Sequence, residues 1–139
     1  MGQDLMISGT VAAVREAAYH GVPAVAFSHY LIRDIPLDWA RAGRWSARLL
    51  RDLAPGTLAP GEYWNVNFPH HPPGEMAPPE VVECPPARSP LRVSFDAREL
   101  ADGGTAFHYS ASYAQRPRDP SSDVEACFSG KIALSRLRV

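Results

Sequence analysis

Apolar and polar positions change rhythm several times along this chain, and each rhythm predicts an element. From Val11 to His20 good helix formers run without a break, Arg15, Glu16 and His20 supply the polar positions, and Gly21 follows where a helix end favours a left-handed residue. Ser8 or Thr10 would cap the start of that helix. Residues 23–28 are nearly all apolar with no alternation, the pattern of a strand buried on both faces of a parallel sheet. A second helix is expected from about residue 36 to residue 53, with Ala42, Trp45, Leu49 and Leu53 three and four apart and Arg41, Arg44, Arg48 and Arg51 on its other faces. Pro55 and Gly56 would stop it. Residues 62–68 then alternate Asn65 and Asn67 with Val66 and Phe68, a strand closed by Pro69.

After residue 69 the texture becomes loop-rich. The chain holds 14 prolines in 139 residues, about twice the usual ~5%, and most lie between 69 and 120. Short strands are expected at 81–84, 91–96 and 106–112, the last two flanking a turn at Ala101-Asp102-Gly103-Gly104 to make a long hairpin. A final strand is expected at 131–137. The pattern predicts a single α/β domain over 1–139, with a core part at 1–69 and a hairpin part at 70–139.

Composition narrows the function classes. With 45% hydrophobic and 21% charged residues, the chain can bury a core, and no run approaches the ~20 apolar residues needed to cross a bilayer, so no membrane role is expected. A net charge of -1 offers no broad basic field, which argues against extended nucleic-acid binding. Cys84 and Cys127 have neither disulfide-scaffold nor zinc spacing, and the first residues lack a signal-peptide pattern, so a cytoplasmic setting is expected.

The strongest local chemistry is Ser8-Gly9-Thr10 at the opening of the first helix. Free backbone N–H groups, two hydroxyls and a glycine that allows close approach make a phosphate cradle there, although Ser and Thr more often serve as plain caps. Asp4 either orients this loop, meets a cation or is simply solvated. Ser28, His29 and Tyr30 fall just past the carboxyl end of the first strand, where open α/β sheets place their crevices. His29 is either an acid or phosphate donor there or an ordinary loop histidine. His70-His71 sits among prolines and reads as structural or accidental, and the Arg-rich second helix with Arg116 and Arg118 either contacts a phosphate or, by default, is a solvated cationic face. Asp4, Glu16, Asp34 and Asp38 show no pairing that would suit a metal-dependent hydrolase, and no nucleotide-loop, serine-hydrolase or zincin motif is present.

Several segments in order resemble the SurE survival-protein family of metal-dependent 5′-nucleotidases. Residues 2–13, GQDLMISGTVAA, are similar to its G-x-D-x-x-Y-S-G-T-V-A-A, with Ile7 in place of Tyr. Residues 21–28, GVPAVAFS, are similar to G-x-P-A-I-A-V-S, Asn65-Val66-Asn67-Phe68-Pro69 to N-V-N-x-P, and Ser122-Asp123 with Gly130-Lys131-Ile132-Ala133-Leu134 to the family's T-D and G-x-I-S-I. The resemblance implies a Rossmann-like three-layer α/β/α unit, truncated at its amino terminus, with a protruding hairpin used for subunit exchange in a homo-oligomer. It implies a phosphoric monoester hydrolase acting on nucleoside monophosphates through water activated by Mg or Mn. Of the family's site only Ser8, Gly9 and Thr10 carry over, as phosphate-binding residues. The N-D-D motif, the S-G loop and the G-I-N-x-G-x-N segment that supply the metal ligands have no counterpart here, so no catalytic or metal-ligating residue is assigned and hydrolysis by this chain alone is expected to be impaired. Two alternatives stay open: a non-catalytic oligomerisation or phosphate-binding module derived from that fold, and an unrelated phosphate-binding domain in which residues 8–10 matter without a metal.

Overall fold

The computed structural model describes residues 1–53, 58–74 and 76–139. The stop expected at Pro55 and Gly56 lies outside them. The chain opens on a 3-10 turn, Gly2–Met6, and enters α1, Gly9–Tyr19. Ser8 is the cap: its hydroxyl accepts from the Val11 N–H at 3.2 Å. Gly21, at φ +73, ends the helix in the left-handed conformation expected of it. β1, Val25–His29, follows.

α2 spans Trp39–Asp52 and starts later than expected. Asp38 rather than Pro36 sets its beginning, because the Asp38 carboxylate accepts from the Arg41 N–H at 2.8 Å and satisfies one of the free donors of the first turn. The chain continues through β2, Glu62–Phe68, β3, Val81–Glu83, β4, Phe95–Glu99, β5, Thr105–Tyr109, α3, Asp123–Phe128, and β6, Ile132–Arg138. The hairpin expected on either side of 101–104 forms as β4 against β5, in register from Phe95 opposite Tyr109 to Glu99 opposite Thr105. Its first strand begins at Phe95 rather than at 91 and its second ends at Tyr109 rather than at 112. α3 was not expected: a helix of six residues is too short to show a period of 3.6.

Four strands form one mixed sheet in the order β1-β2-β6-β3, with β1 parallel to β2, β2 antiparallel to β6 and β6 parallel to β3. One face carries Trp64, Val66, Phe68, Ile132 and Leu134, which pack with Trp45 and Leu49 of α2. The other face carries Ala26 and Tyr63 against Val11 and Ala18 of α1, and Ala133 with Cys84 against Ala126 and Cys127 of α3. The sheet is thus covered on both sides, the three-layer α/β/α arrangement that the family resemblance implies. No helix is long and apolar enough to cross a membrane among the described residues.

Candidate functional site

α1 runs antiparallel to β1, so its first turn returns to the carboxyl end of β1 and β2. A cleft of about 340 Å³ opens there. Asp4, Ser8 and Val11 form one wall, Ser28, Asn65 and Asn67 the floor, and Tyr30 and Tyr113 the far wall. The floor follows from strand register. Ser28 is paired with Asn67, and Ala26 with Asn65, so these side chains share the α1 face while Val66 and Phe68 turn to the α2 face.

Of the residues expected to hold phosphate, Ser8 lines the cleft. Gly9 and Thr10 lie exposed on the first helical turn and are not among the lining residues. Ser8 Oγ is engaged in the cap, which leaves its own helix dipole and the early N–H groups as the positive end of the site.

Asp4 is not a solvated surface residue, and Arg116 does not belong to a solvated cationic face. Tyr113 Oη donates to Asp4 Oδ2 at 2.7 Å and Arg116 Nη1 donates to the same oxygen at 2.6 Å. The Arg116 side chain is fully buried and lies 4.7 Å from the Tyr113 ring centroid. Burial pushes the Asp4 carboxyl up, but the Tyr113 and Arg116 hydrogen bonds outweigh it and hold the group below its ordinary value. Burial, with Asp4 next to it, pushes the Tyr113 phenol up. Sequence order hides this cluster, because Asp4 and Arg116 lie 112 positions apart.

Asp123, matched to a family motif but assigned no role, is a tie. Its carboxylate accepts from the Gly2 N–H at 2.8 Å and from the Ala87 N–H at 2.9 Å, deep in the structure. Gly2 has φ +53, and a Cβ there would stand 3.1 Å from Arg116 Nη2, so glycine is required at this close approach. These contacts hold the turn that delivers Ser8.

His29 is also among the residues that line the cleft, at its border with the α2 side. Its ring packs 6.0 Å from Phe68 and 5.5 Å from His70, on the α2 side, and its Nδ1 donates to the Tyr30 carbonyl at 2.7 Å. Burial depresses its pKa, and the nearby His70, Arg41 and His71 push the same way. His70 and His71 are structural, as expected: His70 Nδ1 accepts from the Ile32 N–H at 2.6 Å, and His71 Nε2 donates to the Gly130 carbonyl at 3.1 Å.

Two cleft residues entered the sequence reading only as part of a strand pattern and a family motif, with no role assigned. Asn65 is 1% exposed and neither of its amide atoms has a hydrogen-bond partner, and Asn67 is 3% exposed with its Nδ2 likewise unpartnered. The alternation at 62–68 placed them on one strand face without showing what that face meets.

A divalent ion does not fit this chain's described residues. No group of three or more His, Cys, Asp or Glu side chains comes together among them, and the cleft's Asp4 is committed to Arg116 and Tyr113. Cys84 and Cys127 are free and buried, and burial pushes the Cys127 thiol up to about 12, far from a nucleophile.

A mixed sheet covered by helices on both faces, with a crevice at the carboxyl end of its parallel pair, defines an α/β domain of the open-sheet class. The model of the survival protein SurE matches residues 1–88, and the chain belongs to the SurE family. A Nostoc protein described as "Putative 5'-nucleotidase alr3139" is 47% identical over 139 residues, which are 100% of this chain and 59% of the relative. The 5′-nucleotidase SurE of Leptospira biflexa is 27% identical over 100% of this chain and 56% of its own length. The crystal structure of the SurE protein from Aquifex aeolicus superposes with a TM-score of 0.80 at 18% identity, over 99% of this chain and 54% of that one, and shares the fold. The chain therefore spans somewhat more than half the length of the relatives it matches.

Proposed function

We propose that this chain forms the phosphate-binding side of a SurE-type phosphomonoesterase acting on nucleoside monophosphates or related phosphate monoesters. The observation that carries the reading is the start of α1, whose capping Ser8 lines a cleft at the carboxyl end of β1 and β2 together with Ser28, Asn65 and Asn67. Family membership and relatives named as 5′-nucleotidases support the substrate class. In this reading Ser8 fixes the first turn, and Gly9 and Thr10 offer their N–H groups and the Thr10 hydroxyl to the phosphoryl oxygens. Hydrolysis by water activated on Mg or Mn belongs to the proposal for a whole SurE protein. Among the described residues no group of three or more His, Cys, Asp or Glu side chains comes together, and the cleft's Asp4 is held by Arg116 and Tyr113, so in this reading the chain's own part is to bind and orient the phosphoryl group. Two buried free cysteines are in keeping with a cytoplasmic setting.

A second reading, assembly, rests on the hairpin. Val93, Phe95, Leu100, Phe107 and Tyr109 are all exposed on or beside it. A two-stranded ribbon is marginal by itself, and these apolar side chains suit burial against another copy of the chain in a homo-oligomer.

The binding reading is tested by titrating the labelled chain with adenosine monophosphate while following backbone amides. Shifts confined to residues 8–11 and the cleft floor are expected, and an unmoved α1 terminus overturns it. A parallel assay with an aryl phosphate, with and without manganese, should show no metal-dependent turnover by this chain.

A further inference from the structure

The cleft floor contains polar groups for which the fold supplies no use. Asn65 and Asn67 are both more than nine-tenths buried, and both line the cleft. Asn65 Nδ2 and Oδ1 and Asn67 Nδ2 have no hydrogen-bond partner, so Asn65 is unsatisfied whichever way its amide is turned. An apolar side chain of the same size would occupy either position without that cost, because an unmade buried hydrogen bond is penalised in full. Ser135, opposite Asn65 in register, adds another unpartnered hydroxyl to the same row outside the cleft.

We infer that Asn65 and Asn67 are ligand-binding residues, whose amides complete with the α1 N-terminus a pocket for a tetrahedral oxyanion. This rests on the phosphate reading above and adds to it the half of the site that comes from the sheet. Two Nδ2 donors rise from β2 and the first-turn N–H groups descend from α1, so a bound phosphoryl group is held from opposite sides. Asn65 Oδ1 accepts a hydrogen bond from the O–H of hydrogen phosphate. Neutral amides suit this position: a lysine or arginine would attract Asp4, whereas an amide donates to the anion without competing for the Asp4 carboxylate that Arg116 and Tyr113 already hold.

The test is an NMR titration of the full labelled chain with inorganic phosphate, repeated for Asn65→Leu and Asn67→Leu. The side-chain NH2 signals of Asn65 and Asn67 are expected to move together with the amides of residues 8–11. Asn65→Leu should weaken phosphate binding by about tenfold or more while the thermal midpoint stays level or rises. If the residue 8–11 amides respond but the Asn65 and Asn67 amides stay still, or if Asn65→Leu binds phosphate as tightly as the parent chain, this inference falls and the phosphate reading stands. If residues 8–11 also stay silent, both fall. The wild-type side-chain signals decide the question even where a variant does not fold.

Discussion

Arg116 Nη1 lies 2.6 Å from Asp4 Oδ2, joining the segment that leaves the hairpin to the turn that precedes the α1 terminus. The arginine side chain is fully buried while the aspartate is 26% exposed, so the two partners are unequal. Removing Asp4 strands a buried guanidinium, whose Nε and Nη2 already lack partners. Asp4→Ala should therefore cost about 3 kcal/mol of unfolding free energy, read as a lower urea midpoint. It should also tighten phosphate binding, because a negative charge leaves the cleft wall and the arginine loses its counter-ion. A variant that is less stable yet binds the anion better would be hard to explain by general damage.

The same pair gives the chain an acid limit. The folded Asp4 carboxyl titrates below its ordinary 3.8. The folded form thus stays ionised where the unfolded chain has already taken up its proton, so the contribution is complete at neutral pH and is lost as pH falls below about 3.8. Acid titration of stability should show this loss in the parent chain and a shallower slope in Asp4→Ala.

Asp123 holds two buried N–H groups 2.8 and 2.9 Å away, on Gly2 and Ala87. Asp123→Ala should destabilise by roughly 3 kcal/mol or more, since two donors lose a charged acceptor and stay buried. Asp123→Asn keeps one acceptor and turns an NH2 toward the other donor, so it should fall in between. Thermal melts of the three proteins check the order.

How much of this was legible in the sequence divides along physical lines. α1, β1, β2 and the hairpin came from local signals: an unbroken run of helix formers closed by Gly21, an apolar stretch at 23–28, alternation at 62–68 and a glycine-rich turn. α2 came with its stripe of Ala42, Trp45 and Leu49 but with its start displaced, because a capping aspartate competes with a proline three positions away from the first helical residue. The cleft was half legible. Ser8 to Thr10 are contiguous, and their motif announces a helix terminus. The Asp4, Tyr113 and Arg116 cluster and the Asn65 and Asn67 floor depend on which strands lie beside which, and that is a tertiary fact with no local signature. His29 was read correctly as lying at the carboxyl end of the first strand and it borders the cleft, but the packing of its ring against Phe68 and His70 is likewise a tertiary fact.

Thr10 tests the helix terminus separately from the floor. Its side chain is exposed and takes no part in the Ser8 cap, so Thr10→Ala should leave the melting temperature nearly unchanged. Phosphate binding should weaken by ~1 kcal/mol through loss of one hydroxyl donor. Calorimetric titration with inorganic phosphate measures it, and an unchanged affinity removes Thr10 from the site.

The hairpin allows a prediction in which stability and assembly move apart. Phe95 and Phe107 are 57% and 69% exposed, so replacing both by serine removes little that the single chain has buried. Its folding free energy should change by less than about 1 kcal/mol. If the ribbon packs against another copy, the same two changes expose nothing new in the monomer but delete apolar area from the interface, and the association constant must fall. Sedimentation or light scattering over a concentration series should then show the parent chain associating and the double variant remaining monomeric. A parent chain that stays monomeric at high concentration would instead assign those side chains to a different partner, and the assembly reading would fail.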